Sequence, residues 1–594
     1  MEKLLNIPTW DLSDLYSSIK SGEISKDLEK INKDIKLLSK RYKNKIELIN
    51  AQDLHKAINL YEQVQEKLHK IYSYIDLVTS ENLLDIGLSN KAYYIKEVLD
   101  EYSSKIIFFK LEINKIPSEK IYKLSQNKEA SKYIQWVKNI QIYKNYQLNE
   151  DLERLFLEKK TTGKNAWVRL FDETLASIEI KKNEKTYNLD KALDLMASSH
   201  DEKLRKSLGV SISEEFDKRI DLFTFITNTM IKDKEIEDRW RNFSEVDSSR
   251  HVSNHIQPEV VECLFASVKE FYPRISHRYY NKKREWIGKS KLNFWDRNVD
   301  LGFTKERVWS WNEAKEFVLA AFEEFSPTLA NIGKLFFQND WIDAVPRKGK
   351  MSGAFSHQTV PESHPYILMN FYGSNRDVMT LAHELGHGVH QILANEQGLL
   401  LSDTPLILAE TASVFGEQLV FQSLLKSCSN KHEKKQILSN KIEDMINTVI
   451  RQVSFYDFEK KIHNKRRKNE LTKDEISNMW LESQKESLGD AFQLGNGYKN
   501  FWCYISHFIH SPFYVYSYAF GDGLVNSLFQ VYTNNFDGFE ATYIKLLKAG
   551  GSKSYKELIK MFNLDATTQE FWYKGLEVIE NLIDDLEELD TEIK

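Results

Sequence analysis

The residues whose types and spacing could do the most chemistry in this chain are His383-Glu384-Leu385-Gly386-His387. On a helix, residues four apart project from the same side one turn up, so both imidazoles can reach a single ion. Glu384 is rotated about 100° from them, beside the ion and not on it, where a carboxylate can take a proton from an attacking water. The surrounding segment, NRDVMTLAHELGHGVHQIL, predicts that helix. Asn375 can cap it, Asp377 suits its positive first turn, and Val378, Leu381, Ala382, Leu385 and Val389 supply an apolar face. In a chain with 15 histidines the five-residue pattern can also arise by chance, so a second, independent piece is needed.

A zinc site of catalytic type has three protein ligands and an open position. One class of such sites takes a third histidine six residues after the second, with a glycine midway; here His390 and Leu393 occupy those positions and do not match. The other class takes a glutamate from a later helix. Ser402-Asp403-Thr404-Pro405 reads as a helix start, followed by LILAETASVFGEQLVF. Glu410 stands there among Leu406, Ile407, Leu408, Ala409 and Ala412. A carboxylate in such surroundings must be paired or bound to a metal. The expectation is one Zn2+ held by His383, His387 and Glu410, with Glu384 as general base. Glu417, two turns on along the same face, either holds a ligand histidine by its second nitrogen or makes an ordinary salt bridge. His390 reads as a core histidine or as one that supports a ligand from behind, since three ligands are already present.

The elements that must position these groups are mostly helices. At 594 residues the chain exceeds what one core supports, so at least two lobes are expected. From about Asp27 to Glu158 apolar residues recur at helical spacing, as in Leu28, Ile31, Ile35, Leu38, Ile46 and Leu48, with Pro117 the one proline. Ser177–Leu189 alternates apolar and polar residues around Lys182-Asn183-Glu184, which predicts a small hairpin, and Tyr366–Phe371 reads as a second extended piece. Helices resume from Asp377 and continue to the acidic end. A division near residue 195 would give an N-terminal helical domain, 1–195, and a catalytic domain, 196–594.

Charge and composition exclude several functions. Lys and Arg total 82 against 87 Asp and Glu, a net charge of −5, which leaves no electrostatic footprint for nucleic acid. The basic run Lys460–Lys468 reads as a solvated helix face. Apolar runs fall short of the roughly eighteen residues a membrane span needs, so no membrane partner is expected. The start, MEKLLNIPTW, does not read as a secretion signal, and Cys263, Cys428 and Cys503 lie far apart, which fits reduced thiols in the cytoplasm.

With these residues in hand, the chain resembles the oligoendopeptidase F family, within the thimet oligopeptidase superfamily of zinc peptidases. The likeness extends over essentially the whole length: WDLSDLY at Trp10–Tyr16, KMSGAFS at Lys350–Ser356, the metal segment itself, and HSPFYVYSYAFG near the C-terminus. The resemblance implies a mainly α fold, two helical lobes enclosing a deep substrate channel with a small β-sheet beside the zinc-binding helix. It also implies an endopeptidase acting on short, unfolded peptides. By the same resemblance His507 and the tyrosines Tyr514, Tyr516 and Tyr518 contact substrate and the developing oxyanion, although tyrosines alternating in this way also serve as packing. Gly353 and Ala354 resemble the edge strand that pairs with the substrate backbone. Ser506 stands where the family commonly has proline. Two alternatives stay open: a zinc carboxypeptidase of similar helical fold, and a helical scaffold that binds peptides without catalysis.

Overall fold

A computed structural model describes residues 7–126, 130–182, 185–304, 307–404 and 406–593. The fold is mainly α, with helix over 71% of the chain and two small sheets. Among the described residues no helix is long and apolar enough to cross a membrane, and the three cysteines form no disulfide.

The chain divides into two compact units, each assembled from three stretches: Met1–Lys144, Glu306–Lys426 and Val531–Leu564 in the first, Asn145–Lys305, Ser427–Gln530 and Asp565–Lys594 in the second. A cut near residue 195 does not separate them. That position falls inside the second unit, in the helix Leu189–Ser198, which packs on the long helix Glu202–Trp240. Apolar helix faces bury against whatever partners complete a core, so spatial units need not follow chain order.

In the first unit, among the helices Gly22–Tyr42, Ala51–Glu81 and Ile86–Lys105, the first buries Ile31, Ile35 and Leu38 of the expected stripe together with Ile24, while Leu28 is half-buried. Leu48 is exposed because the helix has already ended at Tyr42. The opening segment joins this core: Trp10 packs edge-on against Tyr366 at 5.9 Å, and its indole N–H donates to Glu81.

The sheet beside the histidine helix has three short strands. Tyr366–Leu368 lies in the middle, parallel to Ile342–Asp343 and antiparallel to Phe355–His357. The extended piece is therefore shorter than Tyr366–Phe371. Lys350 is buried beneath the loop entering the edge strand, its ammonium donating to Asp343 Oδ1 at 2.9 Å and to the Met369 carbonyl at 2.7 Å.

In the second unit the expected hairpin forms from Glu179–Lys182 and Lys185–Asn188, with Lys182 paired to Lys185; its tip, Asn183-Glu184, lies outside the described residues. The C-terminal helix Gln569–Ile593 packs on Lys431–Thr448, where Lys435 donates to the buried Asp590 at 2.6 Å. In the basic run, Lys461 and Lys465 pair with Glu482 and Glu475, each at 3.0 Å.

Candidate metal centre

Helix Asn375–Ala394 carries both histidines. Its cap is Ser374, not Asn375: Ser374 and Asp377 form a reciprocal capping box, while Asn375 accepts the Trp309 indole N–H at 2.7 Å. Val378, Leu381, Ala382, Leu385 and Val389 are fully buried, as the periodicity requires. Ser356 of the edge strand donates to the Gln391 side chain at 2.9 Å, which fixes the sheet to this helix.

Glu410 comes from the helix Leu406–Ser427. Pro405, expected at its first turn, lies outside the described residues, and Ser402 instead ends a separate short helix, Leu399–Ser402. Two glycines bring the helices close: a Cβ on Gly386 would stand 2.4 Å from the Ala412 carbonyl oxygen, and one on Gly416 3.1 Å from that of Ala382. The Tyr543 hydroxyl donates to the Thr411 carbonyl at 2.8 Å, an anchor that nothing in the sequence marked. Gly386→Ala is therefore expected to force the helices apart, destabilising the fold by about 1–3 kcal/mol and loosening the three-residue cluster. Thermal melting together with a metal titration checks this, and unchanged values for both would contradict it.

Three atoms converge between the helices. His387 Nε2 lies 3.2 Å from His383 Nε2, and Glu410 Oε2 lies 3.4 Å and 3.5 Å from those two nitrogens. In a tetrahedral zinc site with bonds of about 2.1 Å, neighbouring ligand atoms stand about 3.4 Å apart. The three observed edges match that face, and the donor set of two imidazoles and a carboxylate suits zinc. All three residues are half-buried. Apolar neighbours suggested a deeper Glu410, but its side chain keeps 28% of its exposure.

The surroundings favour positive charge. His383 Nδ1 meets Glu417 Oε1 at 2.5 Å, which turns the Nε2 lone pair toward the convergence point. Ser413 donates to Glu410 Oε2 at 2.7 Å, a partner the sequence reading missed although the i, i+3 spacing could have revealed it. Burial opposes charge on Glu410, yet the hydrogen bond and charge of His387, with His383 and Ser413, hold its pKa down at about 2. Glu384 is only 6% exposed, and burial raises its pKa despite the two histidines. His390 is a core histidine as expected, its Nε2 3.4 Å from Thr404 Oγ1, with burial lowering its pKa to about 3.

The remaining candidates separate. His507, Tyr514 and Tyr518 gather in the second unit: His507 Nε2 is 3.2 Å from the Tyr518 hydroxyl, and its ring stacks on Tyr514 at 5.9 Å. Burial, with His510 nearby, lowers the His507 pKa and favours the neutral imidazole. Tyr516 points elsewhere. It is buried, with its hydroxyl accepting from Asn254 at 2.8 Å and 3.2 Å from His251 Nδ1. Tyr516 is two positions from both Tyr514 and Tyr518, and side chains two apart on a helical turn do not face the same way, so Tyr516 is a core residue. Gly353 and Ala354 are not in a strand. They form the bend before Phe355–His357, with Gly353 at φ +84° and its carbonyl accepting from Asn370 at 3.3 Å.

Known proteins resemble this chain over most of its length. Residues 195–578 match the model of peptidase family M3, and residues 112–179 match that of oligopeptidase F. The chain is 26% identical to oligopeptidase PepF of Bacillus subtilis over 99% of its own length and 88% of that protein. It is 24% identical to the chromosomal oligoendopeptidase F of Lactococcus lactis subsp. cremoris, covering 98% and 97% of the two chains. In fold it is similar to oligoendopeptidase F from Enterococcus faecium, with a TM-score of 0.73, 19% identity and coverage of 96% and 99%. PZ peptidase A is also similar, with a TM-score of 0.75, 17% identity and coverage of 95% and 97%. The family model spans well over half of the chain and includes both helices of the cluster, so this protein is a peptidase and belongs to peptidase family M3.

Proposed function

We propose that this protein is a zinc-dependent endopeptidase of short, unfolded peptides, with His383, His387 and Glu410 as ligands and Glu384 as general base. The observation that carries the reading is the set of three ligand-to-ligand distances, each close to a tetrahedral edge. Zinc held there would act as a Lewis acid on the scissile carbonyl and bring the pKa of water to about 7.

Glu384 takes the proton of the attacking water as its oxygen bonds to the carbonyl carbon. The same carboxyl returns that proton to the amine nitrogen as the C–N bond breaks. Glu417 keeps the His383 tautomer fixed and Ser413 keeps the Glu410 carboxylate aimed. His507, with Tyr514 or Tyr518, donates hydrogen bonds to the negative charge that develops on the carbonyl oxygen. The edge strand Phe355–His357 supplies main-chain groups for an extended peptide, an affinity that does not depend on side-chain identity.

The test is hydrolysis of an internally quenched peptide by the purified protein, with chelator and with zinc restored, beside a folded and an unfolded protein of the same sequence. Chelator-sensitive internal cleavage of the short peptide is expected. Removal of single terminal residues would instead indicate a carboxypeptidase, and a silent zinc-loaded protein a binding scaffold.

A pH dependence follows from the acidic surroundings. Burial lowers the His383 pKa, but the hydrogen bond and charge of Glu417, with Glu410 and Glu384, raise it overall to about 9. Below that pH the metal-free site holds a proton that zinc must displace. Zinc affinity should therefore rise about tenfold per pH unit from pH 7 and flatten near 9. Competition with a chelator of known affinity measures this, and an affinity independent of pH across that range would contradict it.

A further inference from the structure

We propose that Glu459, a carboxyl sealed inside the second unit, is a positioning residue for Tyr514: by holding the backbone at Phe513 it sets the direction of the next side chain. The inference rests on the reading of His507 and Tyr514 as donors to the developing charge.

Glu459 lies on the helix Ile450–Arg466 and has no exposed surface. Its Oε1 accepts the Phe513 N–H at 2.9 Å, while its Oε2 is buried without a hydrogen-bond partner. A leucine or methionine would fill that volume without the partnerless Oε2 but would leave the buried Phe513 N–H without its acceptor, so the carboxyl is explained by the bond it accepts and not by packing. Burial pushes its pKa up to about 8, against the pull of the Phe513 N–H, Arg250 and Lys234.

What Glu459 holds is unusual. Phe513 has φ +61°, a conformation that a bulky side chain keeps only when its surroundings impose it. The Phe513 ring is fully buried against His463 at 4.7 Å. The neighbours on both sides are also fixed. Arg250 Nε donates to the Pro512 carbonyl at 3.2 Å, and Asn254 donates to the Tyr516 hydroxyl and to Ser517 Oγ at 2.8 Å and 3.0 Å. Between these anchors Tyr514 projects half-exposed, stacked on His507, with the Arg250 guanidinium 5.7 Å from its ring centre. A left-handed residue reverses the local chain direction, so the bond that stabilises it decides where the following side chain points.

The experiment uses the full-length, zinc-loaded protein with Glu459→Met and Glu459→Gln, each alone and combined with Tyr514→Phe. Methionine keeps the volume but offers no acceptor; glutamine keeps the acceptor. Glu459→Met is expected to lower kcat roughly 10- to 100-fold with KM within about twofold, the size of effect that a displaced catalytic group produces. Glu459→Gln should restore most of that loss, and Glu459→Met should add nothing once Tyr514→Phe is present. Unchanged kcat in Glu459→Met, a glutamine variant as damaged as the methionine one, or losses that multiply with Tyr514→Phe would each overturn the proposal. If Glu459→Met does not fold, Arg250→Met, which removes the anchor at Pro512, carries the same expectations and the same overturning results. A Tyr514→Phe enzyme with full kcat would remove the donor role of Tyr514 and this proposal with it, whereas a slow Tyr514→Phe enzyme with an unaffected Glu459→Met would remove this proposal alone.

Discussion

Glu384→Gln should retain zinc and lose turnover by roughly 10²–10⁴-fold, the range that general acid–base catalysis contributes. Glutamine has the shape of glutamate, so the buried position beside His383 and His387 stays filled and the helix is unchanged. What disappears is a group able to take a proton from water and return it to the amine. The carboxyl is suited to that task, since burial raises its pKa from the ordinary range toward the working pH while the two histidines limit the rise. The proposed cation site is made of three atoms of other residues, so metal content should hold. Peptide turnover and zinc content, measured on the same preparation, decide the matter. Substantial activity in the variant would remove Glu384 from its role, and loss of zinc would mean that it is a ligand.

The second large effect is expected from Glu410→Ala, which should empty the site. Glu410 Oε2 contributes two of the three edges of the proposed site, and it is the one negative charge among the three converging atoms. Its removal leaves two imidazoles, a set that falls short of the three protein ligands a catalytic zinc site uses. Affinity should therefore drop by more than the roughly 10–100-fold that loss of an orienting outer partner costs, the size of effect expected for Glu417→Gln. Zinc content after dialysis separates the two variants: Glu410→Ala should come off empty, and Glu417→Gln should reload when zinc is supplied in excess. A fully loaded Glu410→Ala protein would mean that another carboxylate is the third ligand.

The metal cluster was the most legible part of the chain because its logic is local. Residues four apart on one helix share a face whatever the rest of the protein does, so His383, His387 and the offset Glu384 could be placed from spacing alone. Glu410 required only that a second helix be recognised, and Glu417 followed from its periodicity. The capping residue was misplaced by one position, since both Ser374 and Asn375 are good caps and the choice fell to Trp309, a partner distant in sequence that occupies Asn375.

Residue types and periodicity alone therefore determined that the protein is mainly helical, that two histidines and a glutamate can share an ion, and that a carboxylate stands beside them. Tertiary structure decided the rest. It set how close the two helices run, through Gly386 against Ala412 and Tyr543 against Thr411. It turned Tyr516 into the core while leaving Tyr514 and Tyr518 with His507, and it built each compact unit from three separated stretches. The reason is physical: spacing within one helix is fixed by the backbone, whereas which face meets which partner depends on contacts between residues hundreds of positions apart, and those come from the packing of the whole chain.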